Sequence, residues 1–78
     1  MMYTDEMRRA VHSITPPKGF GIEIIDNEHF LTVKLDERKF LHMVHDDKIS
    51  ALQYVVKIKN ALEQNGAIVL VTREAVSK

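Results

Sequence analysis

Cysteine is absent from this chain of 78 residues. That removes disulfide staples and thiolate metal sites together, and it makes a reducing, cytoplasmic interior the expected setting. An excess of either charge is absent as well, since eleven Lys and Arg balance eleven Asp and Glu. Affinity for nucleic acid begins with neutralised phosphates, so a balanced chain lacks the electrostatic footprint of a dedicated binder. The balance is also local. Arg8 and Arg9 follow Asp5 and Glu6, and Arg38 and Lys39 follow Asp36 and Glu37, the mixed pattern of a solvated surface. The longest wholly apolar run, Ala67 to Val71, is far short of the roughly 20 residues that cross a bilayer, so no membrane partner is expected. Charges at Asp5, Glu6, Arg8 and Arg9 break any signal-peptide layout over Met1 to Ile14. The three glycines form neither a phosphate-binding loop nor a dinucleotide fingerprint, and no cofactor is expected.

What is present is pattern. Thr4 can cap a short helix, with Asp5 and Glu6 in its first turn, and Tyr3, Met7, Ala10, Val11 and Ile14 recur at helical spacing to form one stripe. Pro16 and Pro17 stop it and make a stiff connector. Three strand-like runs follow, Phe20 to Ile25, Phe30 to Leu35 and Phe40 to His45, separated by Asp26-Asn27-Glu28-His29 and Asp36-Glu37-Arg38-Lys39 as turns. A symmetric first turn sets Ile24 opposite Leu31 and Ile25 opposite Phe30. Asp46 or Asp47, or Ser50 slightly further in, can cap a long helix. Asn65-Gly66 ends that helix, because glycine enters the left-handed conformation freely. Ala67 to Thr72 reads as a buried or edge strand, and Arg73 to Lys78 as a frayed end. The fold expected over residues 1–78 is a single α+β domain of order α-β-β-β-α-β. It comprises an antiparallel three-strand meander, a crossover helix and a fourth strand.

The residues give little support for chemistry. His42, His45, Asp46 and Asp47 are the nearest approach to a metal set, but histidines three apart on a strand point to opposite faces, so no metal is expected. Glu28 and His29 belong to turn chemistry, and His12 suits the negative end of the first helix. Asp36-Glu37 and Asp46-Asp47 are adjacent carboxylates, a poor way to flank a substrate. Ser13, Ser50 and Ser77 show no nucleophile-elbow pattern. No catalytic residue is assigned, and the chain reads as a non-enzyme.

Contact is the better supported role. The three strand-like runs carry apolar residues on both faces, and a sheet of that kind needs a covering helix or a second chain. Ile25, Phe30, Met43 and Leu41 fall on the second face and are the expected interface of a homodimer or of a small protein partner. The expected function is a protein-interaction domain, regulatory or accessory, because a domain of this size buries only roughly 60% of its unfolded surface and gains from association. The alternative is a nucleic-acid-binding module using Arg8, Arg9 and Lys57 with the sheet aromatics Phe20, Phe30 and Phe40. In order of elements the chain resembles a double-stranded-RNA-binding domain. That resemblance implies a basic start to the second helix, where this chain has His45-Asp46-Asp47-Lys48.

Overall fold

The computed structural model describes residues 3–74. Helix α1, Asp5–His12, starts where Thr4 accepts a hydrogen bond from the Met7 N–H at 3.2 Å, which satisfies one of the free donors of the first turn. Asp5 and Glu6 lie at its positive end and His12 at its negative end. Met7 and Val11 are buried, with Tyr3 and Ile14 packed beside them, so the expected stripe is the buried face. The connector then turns at Pro17 to Phe20, whose N–H donates to the Pro17 carbonyl at 3.1 Å. Gly19 has φ 78°, the conformation that the third residue of a type II turn requires.

Strand β1, Ile22–Asp26, pairs antiparallel with β2, Leu31–Asp36. The register sets Ile24 opposite Val33 and Ile25 opposite Thr32, two residues away from the symmetric expectation. Faces repeat every two residues, so that shift leaves each side chain on its expected side. The loop is fixed by the Asn27 N–H donating to the Phe30 carbonyl at 2.9 Å and by the Asn27 side-chain amide donating to Thr32 Oγ1 at 3.1 Å.

The third strand expected over Phe40 to His45 is not formed. Residues Glu37–Leu41 are a short helix, α2, and the long helix α3 begins at His45 and runs to Gln64. Two physical causes are visible. The Asp36 carboxylate accepts from the Lys39 N–H at 3.2 Å and so caps a helix where a hairpin turn was expected. The free edge of β2 that a third meander strand would need is taken instead by β3, Val69–Glu74, in parallel register with Leu31 beside Val69 and Val33 beside Val71. The crossover from β2 through α3 into a parallel last strand is as expected. The class is α+β, with three strands and three helices among the described residues in sheet order β1-β2-β3.

Neither expected cap of α3 operates. Its N-cap is Val44, with no side-chain hydrogen bond, Asp46 and Asp47 lie inside the first turn, and the Ser50 hydroxyl donates to the Asp46 carbonyl at 3.2 Å. His42 closes α2 only two residues earlier, leaving little chain for a polar cap. The other end follows the sequence: Gly66 has φ 95° and the Ala67 N–H donates to the Leu62 carbonyl at 3.1 Å, a glycine-terminated helix. Arg73 and Glu74, expected in a frayed end, belong to β3, and the rest of that segment lies outside the described residues.

One core serves all these elements. Leu31, Val33 and Leu35 of β2 meet Ala51, Tyr54, Val55, Ile58 and Leu62 of α3, with Met7 and Val11 of α1, Phe20, Phe40, Ala67 and Val69 completing the cluster. Every helix contributes to the same side of the sheet.

Candidate functional site

The opposite side of the sheet carries the candidate site. Three-strand pairing places Ile25, Thr32 and Leu70 in one row and Glu23, Lys34 and Thr72 in the next. Just ahead of the strands, the Leu31 N–H donates to the Ile68 carbonyl at 2.8 Å. The alternation of side chains along an extended chain then puts Phe30 and Ile68 on the same face as Ile25 and Leu70. Their neighbours Leu31, Ala67 and Val69 are buried on the other side. Ile68 is 63% exposed and Leu70 49%, while Ile25 and Phe30 are half-buried. The face is therefore apolar at the hairpin end and charged at the other. Glu23 and Lys34 are cross-strand partners, yet neither enters an ion pair among the described residues.

Of the four expected interface residues, the sheet brings together two. Ile25 and Phe30 share the outer face; Leu41 and Met43 do not, because their segment is helical. Leu41 is exposed at the end of α2, and Met43 is half-buried against the core. Ile68 and Leu70 are not among the four expected interface residues. An unbroken apolar run offers no contrast between faces, although period-two alternation from the buried Ala67 and Val69 would have assigned them outward.

A second apolar surface lies on α3. Ala51, Tyr54, Val55, Ile58 and Leu62 face the core, while Ile49, Leu52 and Val56 are 44%, 43% and 53% exposed on the far side of the helix.

The remaining expected residues are dispersed. Arg8 lies over the Tyr3 ring at 4.8 Å and Arg9 approaches Glu6 at 3.8 Å, both on α1, whereas Lys57 is on α3. Phe20 and Phe40 are core residues, so neither presents a ring for stacking. Phe40 is also covered by Arg73, whose guanidinium lies 5.0 Å from the ring centre and 3.8 Å from Glu37, a link that the assignment of Arg73 to a frayed end could not anticipate. His42 Nδ1 is 2.8 Å from the Arg38 carbonyl at the end of α2, and His45 is exposed at the start of α3. His29 is 3.4 Å from Glu28 in the exposed hairpin loop. Among the described residues no group of three His, Asp or Glu is placed to hold a metal ion. Burial raises the pKa of Tyr54, because it disfavours the phenolate. No described helix is long and apolar enough to cross a membrane. No protein-family model, curated protein sequence or solved structure matches the chain.

Proposed function

We propose that this protein acts by association, with a second copy of the chain covering the outer face of the sheet, and that it serves as a non-enzymatic regulatory or accessory partner. The observation that carries this reading is the apolar group Ile25, Phe30, Ile68 and Leu70 on a sheet face over which no described helix packs. Taking a fully exposed side chain of this kind out of water is worth roughly 1.5 to 3 kcal/mol, and each of these, already partly covered, would gain part of that. That is a large share of the stability of a small domain.

Charge favours a second copy over an unrelated partner. In a twofold contact one surface meets itself, so each Glu23 can lie against the other copy's Lys34. Two sheets packed face to face sit about 10 Å apart and interdigitate their side chains, which would enclose the apolar end of the face. The test is Phe30→Glu and, separately, Leu70→Glu. Each variant is expected to sediment as a monomer while retaining the far-ultraviolet circular dichroism of the parent. Unchanged sedimentation of both would overturn the assignment of this face.

A further inference from the structure

A cleft of about 270 Å³ lies between α3 and the connector that follows α1. It belongs to the helix layer, away from the outer face of the sheet, and does not depend on the association proposed above. One wall is apolar, formed by Ile14, Pro16 and Pro17; the other is the polar stripe Gln53, Tyr54 and Lys57. Lys57 lies one turn beyond both Gln53 and Tyr54 on α3, so its side chain neighbours each of theirs along the cleft.

Tyr54 is the key residue. It is only 8% exposed, and its ring is held edge-on against Phe20, with centroids 6.3 Å apart and planes at 88°. Its hydroxyl has no hydrogen-bond partner among the described residues. No described side-chain polar atom is both fully buried and unpartnered, so this hydroxyl reaches the surface, and the surface it reaches is the cleft. The Lys57 ammonium has no ion-pair partner among the described residues, and the Gln53 amide makes no side-chain hydrogen bond among them. No Asp or Glu lines the cleft. The Thr15 and Ser50 hydroxyls also line the cleft, but no group there carries negative charge, and one positive charge beside neutral polar groups and an apolar wall suits an anion with an apolar body.

We infer that the cleft binds a small organic carboxylate, its oxygens taking hydrogen bonds from the Lys57 ammonium, the Tyr54 hydroxyl and the Gln53 amide while its apolar part lies on Pro16 and Pro17. A tyrosine hydroxyl is protonated across the neutral range at its ordinary pKa of 10.0, which burial here only raises, so that of Tyr54 can serve as a donor. The volume limits the occupant to a compact acid, since it lies just below the usual range for ligand pockets. A free acid and the carboxylate end of a peptide share this chemistry.

The test is titration of the 15N-labelled full chain with sodium benzoate, with benzamide as the neutral counterpart and N-acetylphenylalanine standing for a chain terminus. Benzoate is expected to give saturable amide shifts at Thr15, Lys18 and residues 50–57, with a dissociation constant on the order of 1 mM. Benzamide, Lys57→Met and Tyr54→Phe should each weaken binding about tenfold. Lys59→Met, which removes a charge outside the cleft, should leave it unchanged. Tighter binding of benzoate than of N-acetylphenylalanine assigns the site to free acids, and the reverse assigns it to chain termini. Shifts that fail to saturate, equal binding of benzamide, or equal losses in Lys57→Met and Lys59→Met would overturn the inference.

Discussion

On one face of the sheet Leu31, Val33, Leu35 and Val69 are sealed under the three helices; on the other, Ile25 and Leu70 flank Thr32 with no described helix above them. Both faces are built by the same three strands, and the contrast separates two uses of apolar surface. On the covered face, burial is intramolecular and holds the subunit together. On the open face, under the proposed association, the area that the same residue types still expose is covered by a second molecule, so that part of their contribution would depend on protein concentration. The long helix repeats the contrast within one element, with Ile58 and Leu62 sealed and Leu52 and Val56 exposed.

The sharpest way to break this comparison is to truncate a leucine on each face. Leu31→Ala on the covered face should cost about 2 to 5 kcal/mol through lost burial and the cavity left behind. Leu70→Ala should leave the stability of the isolated subunit within about 0.5 kcal/mol. Denaturant titration at low protein concentration separates the two, and similar losses would mean that the faces do not differ as described. Next in size is Gly66→Ala. The φ of 95° at this exit from α3 penalises any side chain by roughly 1 to 2 kcal/mol, visible as a lower unfolding midpoint.

Smaller still is Thr4→Ala, which removes the cap of α1 and should cost about 1 kcal/mol. It should lower subunit stability without changing dimer affinity, because α1 serves the covered face alone. The finest distinction is alkaline. Folding raises the pKa of Tyr54 above its ordinary 10.0, so the folded chain holds this proton more tightly than the unfolded chain. The resulting stability is intact below pH 10 and is lost as pH rises through the raised folded pKa. Tyr54→Phe should flatten that decline in a pH series of unfolding midpoints.

Where a side chain and a backbone signal coincide, the fold was legible in the sequence. Thr4 with the Met7 and Val11 stripe fixed α1, and Asn65-Gly66 fixed the end of α3. The β1 and β2 faces followed from alternation even though the hairpin register differed by two residues. The segment after β2 was not legible because two patterns compete there. Asp36 can open either a turn or a helix, and the six residues from Phe40 to His45 are a short, mainly apolar run that also suits a strand. Long-range competition decided between them, with β3 taking the edge beside β2. This also divided the site: Ile25 and Phe30 could be read from period two, whereas Leu41 and Met43 left the face when their strand became a helix. Ile68 and Leu70 were hidden within an apolar run that has no polar residue to mark its outer side.

Sedimentation equilibrium over a wide concentration range, comparing the parent chain with Phe30→Glu and Leu70→Glu, tests the open face most directly. The parent is expected to move toward twice its 9.0 kDa mass as concentration rises, while both variants remain folded at the single-chain mass. A parent chain that stays at 9.0 kDa throughout, or variants that dimerise as well as the parent, would contradict it.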